Sequence, residues 1–123
     1  MAPIYSIVLV TVPDKKVADS LSEGLVERKL AACVNAVPGV SSVYWWEEKL
    51  HRAEEILLLI KTRAGLLPEI TEFVKQNHPY SVPEIIVLDI PDGSEAYLNW
   101  LGAHCLFSKP RAADGGRRAG ERG

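Results

Sequence analysis

Within seven residues the chain places an imidazole, a phenol and a carboxylate: His78-Pro79-Tyr80-Ser81-Val82-Pro83-Glu84. Each proline restricts its predecessor to extended conformations, so the segment reads as a stiffened loop. His78, Tyr80 and Glu84 brought to one cleft would offer a nitrogen base, a hydroxyl and a carboxylate, the makings of a metal or acid–base site. The alternative is that His78 and Glu84 are hydrogen-bonded anchors of the loop. Cys33 could supply the thiolate that Cu(I) favours, or pack as a small apolar side chain. His104-Cys105 is an isolated pair near the end of the apolar sequence, and His51 belongs to a surface hairpin. No HExxH, CxxC or clustered His/Cys set of structural-zinc type is present. Any metal site must therefore draw ligands from distant segments or from several chains. No nucleophile elbow and no phosphate-cradling glycine loop occurs, so the chain reads as non-enzymatic. An acid–base enzyme built on His78, Tyr80 and Glu84 is the alternative.

The elements that would position these groups follow from periodicity. Tyr5 to Val12 is an almost continuous apolar run, the pattern of a strand buried on both faces. Asp14 is placed to cap a helix from Lys15 to about Lys29, whose Val17, Leu21 and Leu25 make one apolar stripe. A second strand starts near Ala32 and runs through a bend at Pro38-Gly39 to Trp46. A turn at Glu47 to Lys49 leads into a third strand ending at Thr62, with Ile56 to Ile60 as its buried half. Pro68 suits the first turn of a second helix, with Leu67, Ile70, Phe73 and Val74 inward and its end at Asn77. Ile85 to Ile90 is a fourth strand, and Ser94 caps a last helix whose Tyr97, Trp100 and Leu101 face the body. The order βαββαβ predicts an α+β ferredoxin-like sandwich: four antiparallel strands, the first and third central, with both long helices on one face.

The end of the second strand is apolar on both sides. Val43 and Trp45 alternate with Tyr44 and Trp46, and one small domain cannot cover both sides of a projecting strand tip. Tyr44, Trp45 and Trp46 are therefore expected in a contact with another subunit. At 123 residues the chain has room for one core. Lys109 to Gly123 holds five Lys/Arg against two Asp/Glu, leaving nine against fourteen in residues 1–108, a body of net −5. Residues 109–123 read as a disordered basic Gly/Arg-rich tail on a 1–108 domain. The acidic body offers nucleic acid no basic face. Ile4 to Val10 lacks a preceding basic residue and is too short to span a bilayer. Cys33 and Cys105, far apart in sequence, read as free buried thiols, and the chain as cytoplasmic, with no membrane insertion.

Leu30-Ala31-Ala32-Cys33-Val34-Asn35, Val43-Tyr44-Trp45-Trp46-Glu47, Ile60-Lys61-Thr62, His78-Pro79-Tyr80 with Pro83-Glu84, and Tyr97-Leu98-Asn99-Trp100-Leu101 together resemble the CutA divalent-cation tolerance family. The resemblance spans Tyr5 to Leu101. It implies a homotrimer built like the PII signalling proteins and a link to copper or other divalent cations. The metal candidates are then His78, Cys33 and Glu84. It also leaves open a metal-free trimeric scaffold or small-ligand signalling module, since animal members are associated with anchoring of acetylcholinesterase. Two departures stand out. Glu48 occupies the hairpin position where the family usually has glycine, at a cost of roughly 1 kcal/mol if positive φ is required there. Val10 and Asn77 stand where some bacterial members carry Cys and His, which leaves His78 alone of that set.

Overall fold

The computed structural model describes residues 4–107. The tail expected over 109–123 lies outside them. The elements run β1 (Tyr5–Val12), α1 (Lys15–Glu27), β2 (Cys33–Trp46), β3 (Lys49–Arg63), α2 (Leu67–Asn77), β4 (Ile86–Asp89) and α3 (Glu95–Ala103), with a 3₁₀ turn, Ala64–Leu66, before α2. The sheet order is β2-β3-β1-β4 and every pairing is antiparallel. This is the α+β sandwich with β1 and β3 at its centre.

The caps account for where the helices begin and end. Asp14 Oδ1 accepts from the Val17 N–H at 2.9 Å, and Ser94 Oγ from the Tyr97 N–H at 3.4 Å. These bonds satisfy amides that have no partner inside the first helical turn. α1 stops at Glu27, two residues before the expected Lys29. Lys29 takes φ 58° while Leu30 N–H bonds to Leu25 O and Lys29 N–H to Val26 O, a Schellman closure without glycine.

Register explains the layering. Val8, Val10 and Val12 face α1 and α2 and are sealed together with Leu58, Ile60, Leu21, Leu25, Ile70 and Val74. The opposite face of the sheet has no helix from this pair. There Ile7 and Leu9 sit across from Lys61 and Leu59 on one side, and from Leu88 and Ile86 on the other. Ile86 and Leu88 are 49% and 48% exposed. The expectation that β1 is buried on both faces thus holds for one face only: among the described residues Ile7 and Leu9 on the second face stay half-buried.

At the bend, Val37 pairs with Leu57 and Val40 with Glu55, so Pro38 and Gly39 together oppose Ile56. This is a β-bulge, and Gly39 adopts the φ of 74° that its lack of a Cβ permits. The hairpin closes through Glu47 and Glu48 alone, since Lys49 already pairs with Trp46. Their φ values are 52° and 65°, the left-handed pair that a two-residue turn demands. α3 corrects one expectation. Leu101 is buried, but Tyr97 and Trp100 are 43% and 41% exposed. The inward stripe of this nine-residue helix is Leu101 and Gly102. Its aromatic rings pack at a tilt against one another, with Tyr97–Trp100 and Trp100–His104 centroids 5.5 and 4.8 Å apart.

Candidate functional site

A cleft of about 570 Å³ opens at the end of the sheet where the hairpin leaves the body. β2 contributes Ser42, Tyr44 and Trp46, β3 contributes Glu55, and the loop after α2 contributes Tyr80, Val82 and Glu84. Alternation on β2 puts Ser42, Tyr44 and Trp46 on one side, and the Val40–Glu55 pairing makes that the side of Glu55. Tyr44 is held flat against the His51 ring opposite it, 5.6 Å between centroids.

The loop is carried to the cleft by His78. Its Nδ1 accepts from the Tyr80 N–H at 3.1 Å, and its Nε2 lies 2.8 Å from the Thr11 carbonyl. With Nδ1 accepting, the ring proton sits on Nε2 and donates to Thr11 O. One buried imidazole thereby ties the end of β1 to the first residues of the loop. The ring also packs at a tilt against Tyr80, 4.7 Å between centroids. Tyr80 then reaches across the sheet, and its hydroxyl donates to Glu55 Oε2 at 2.7 Å. Burial, and next the Glu55 acceptor, push the Tyr80 phenol well above its ordinary value. Its proton stays in place at neutral pH.

Glu55 is only 6% exposed and forms the floor of the cleft. Charge in the lining comes from Glu55 and Glu84, and among the described residues no Lys, Arg or His lines it. The site is an acidic pocket with aromatic walls. Such a lining attracts cations and repels phosphate and carboxylate groups.

The three ligands expected from sequence are not brought together. Glu84 is exposed and lines the cleft. His78 stands behind the cleft with both ring nitrogens engaged. Cys33 pairs with Lys61, six residues along β3 from Glu55, about 20 Å at strand spacing. Its sulfur has Asn35 Oδ1 at 3.8 Å, and it neighbours Tyr97, whose phenol is pushed up by burial and then by that thiol. Cys33 and Cys105 are both free, but of the two buried thiols expected only Cys105 is buried and Cys33 is partly exposed. Among the described residues no three His, Cys, Asp or Glu side chains are grouped to hold a metal ion. A copper site of imidazole and thiolate therefore does not fit within one chain.

Sequence reasoning missed Glu55. Its signal was its parity with Leu57 and Leu59 on β3, which placed a carboxylate beside apolar residues of the same sheet face.

The comparisons with known proteins agree with this framework. The model of the CutA1 divalent ion tolerance protein family matches residues 6–104. A chloroplastic CutA 1 protein of Oryza sativa subsp. japonica is 54% identical over 95 residues, covering 77% of this chain and 54% of that protein. The divalent-cation tolerance protein CutA of Thermus thermophilus is 48% identical over 95 residues, covering 77% of this chain and 92% of that one. The chain thus spans about half the length of the chloroplastic relative. Among solved structures, the Thermus thermophilus divalent cation tolerance protein superposes with a TM-score of 0.81 at 45% identity, covering 83% of this chain and 99% of the other. The Oryza sativa CutA1 crystal structure gives 0.81 at 50% identity, covering 85% and 96%. With the family match running from β1 to the end of α3, the chain belongs to the CutA1 divalent ion tolerance protein family.

Proposed function

We propose that this chain is a non-enzymatic, cytoplasmic homotrimer that handles divalent cations, copper foremost, at the acidic cleft. The observation that carries the reading is the lining: two carboxylates, Glu55 and Glu84, with no basic side chain of the described residues beside them. Glu84 is the sequence-stated ligand best placed to meet a cation, because it is exposed at the cleft. His78 would have to surrender the Tyr80 N–H to bind metal. Cys33 would have to act from a neighbouring protomer. Oxygen donors alone favour hard divalent ions, so copper capture depends on such a shared nitrogen or sulfur ligand. The two free thiols suit a reducing compartment. No helix among the described residues is long and apolar enough to cross a membrane. Residues 109–123 are proposed as an appendage to the 1–108 domain without a part in the site.

Trimer formation is supported by apolar surface that this chain leaves open. Ile7, Leu9, Leu57 and Leu59 are half-buried on the sheet face away from α1 and α2, Ile86 and Leu88 are exposed beside them, and Trp45 at the hairpin is 71% exposed. Patches of this kind mark protein–protein contacts. The interface should be of obligate size, above about 2,000 Å² in total. Light scattering should give a trimer at micromolar concentration, and Trp45→Ala, which leaves the cleft lining intact, should dissociate or precipitate it. A wild-type monomer would refute the assembly. Calorimetry with Cu(II), Zn(II) and Mn(II) should show binding that weakens in Glu84→Gln. Equal affinity in that variant would remove Glu84 from the cation site.

A further inference from the structure

We infer that the cleft is an organic-cation site: an ammonium or guanidinium head rests on Glu55 while the ligand's apolar body lies against Tyr44, Trp46 and Tyr80. The inference rests on the cleft being a cation site, as proposed above, but not on the cation being a metal.

Glu55 carries the first part of the argument. It is buried, and its one hydrogen bond among the described residues is the Tyr80 hydroxyl on Oε2. A carboxylate offers about four lone-pair sites, and one neutral donor leaves most of that capacity unused. Among the described residues the sealed side-chain atoms without a partner are Ser6 Oγ, Arg63 Nε and Glu69 Oε1. Glu55 Oε1 is not among them, so it keeps access to the cleft. Among the described residues no cation lies within ion-pair distance of it, and the ion pair found there is Lys15–Asp19, on the surface of α1. A buried carboxylate without a counter-charge is costly, and a cationic ligand with N–H donors removes that cost.

The walls carry the second part. A small hydrated metal ion would use the carboxylates and leave the rings idle. Tyr44 and Trp46 stand two residues apart on the same side of β2, and Tyr80 faces them from the loop. Aromatic faces attract a diffuse, weakly hydrated cation and also pack its methylenes. The cleft's 570 Å³ lies in the range of small-molecule pockets. Phosphate-bearing ligands are disfavoured because no basic side chain of the described residues lines the cleft.

The test is calorimetry on the purified native assembly in about 0.15 M salt, where loose surface attraction is screened. The probes are agmatine, putrescine, tetramethylammonium and a neutral alkylurea of agmatine's length, each compared with Cu(II) and Mn(II). At least one charged organic probe should bind and the neutral one should not. Glu55→Gln, which keeps the shape and an acceptor for Tyr80, should weaken binding about tenfold or more. Trp46→Ala should weaken it about fivefold, and Trp46→Phe should retain most of it. Glu54→Gln removes the same charge from the exposed neighbouring position and should change nothing. Equal losses in Glu54→Gln and Glu55→Gln would overturn the inference as non-specific charge attraction. Cu(II) or Mn(II) binding without any organic probe would also overturn it, and leave the metal reading standing. Organic binding without metal would support it and sink the metal reading. Should Glu55→Gln fail to fold, the charged and neutral probes on the wild type still decide.

Discussion

Replacing Glu48 with glycine should make this protein more stable. The hairpin closes through two residues, and both are glutamates at positive φ, 52° at Glu47 and 65° at Glu48. A side chain in that region brings its Cβ against the following carbonyl, at about 1–2 kcal/mol per residue. Glycine removes the clash but has more freedom to lose on folding, which returns about 0.4–1 kcal/mol. The net gain for Glu48→Gly is therefore about 0.5–1 kcal/mol. For a domain of this size that raises the melting temperature by about 2–4 °C. The readout is denaturant unfolding followed by tryptophan fluorescence, at one fixed protein concentration because assembly contributes to apparent stability. Trp45 and Trp46 lie immediately before the turn and report on it directly. Glu48→Ala is the control, because it removes the charge and keeps the Cβ. It should gain nothing. A gain in Glu48→Ala equal to that in Glu48→Gly would show that repulsion between the two glutamates, not backbone strain, is what the turn endures. No gain from Glu48→Gly would refute the strain outright.

Two further outcomes follow from packing and charge. Gly24 lies where α1 meets α2, and a Cβ there would stand 2.6 Å from Phe73 Cζ. Overpacking of about 1–3 kcal/mol then outweighs the roughly 1 kcal/mol of helix propensity that alanine adds, so Gly24→Ala should lower stability by about 1 kcal/mol. In a Phe73→Leu background the same change should be neutral or stabilising, and a gain in the wild-type background would contradict the contact. Tyr80 holds its proton more tightly folded than unfolded. Its stabilisation is complete below the ordinary phenol value near 10 and is lost as pH rises from there toward the higher folded value. Unfolding curves of wild type and Tyr80→Phe should therefore converge in strong alkali, and curves that stay parallel from about pH 8 to about pH 11.5 would refute the Tyr80–Glu55 bond.

The sequence was most legible where local chemistry decides structure. Asp14, Pro68 and Ser94 mark helix starts by what they do to backbone donors, and each stands where expected. Pro38-Gly39 marked the bulge because a proline cannot donate and a glycine can turn left-handed. Legibility fell where position depends on what lies across the sheet. β1 looked doubly buried, since an apolar run does not say whether its second cover comes from the same chain. Tyr97 and Trp100 looked inward for the same reason: an aromatic residue at helical spacing marks an apolar surface, not its occupant. His78 was read both as a metal ligand and as a hydrogen-bonded anchor of its loop, and the anchor is what the structure shows. Only the register of β1 against the loop shows that Thr11 O and Tyr80 N–H engage both its nitrogens.

The bulge connects fold and site. Before it, the odd residues Cys33, Asn35 and Val37 of β2 pair with the odd residues Lys61, Leu59 and Leu57 of β3; after it, the even residues Val40, Ser42 and Tyr44 pair with Glu55, Ala53 and His51. One inserted residue has changed which parity of β2 faces away from α1 and α2. A one-residue shift in a strand moves every later side chain to the opposite face. Without the insertion, Val43 and Trp45 would share the side of Glu55, and Tyr44 and Trp46 would point toward the helix layer. The extra residue thus sets Tyr44 and Trp46 beside the floor carboxylate and leaves Trp45 on the opposite side of the arm, exposed. Glycine at φ 74° is what lets the chain make that shift inside a continuous strand. The two roles assigned to the arm, one wall of a cation cleft and one contact with another copy, fall on opposite sides of the same strand segment. The bulge is what separates them.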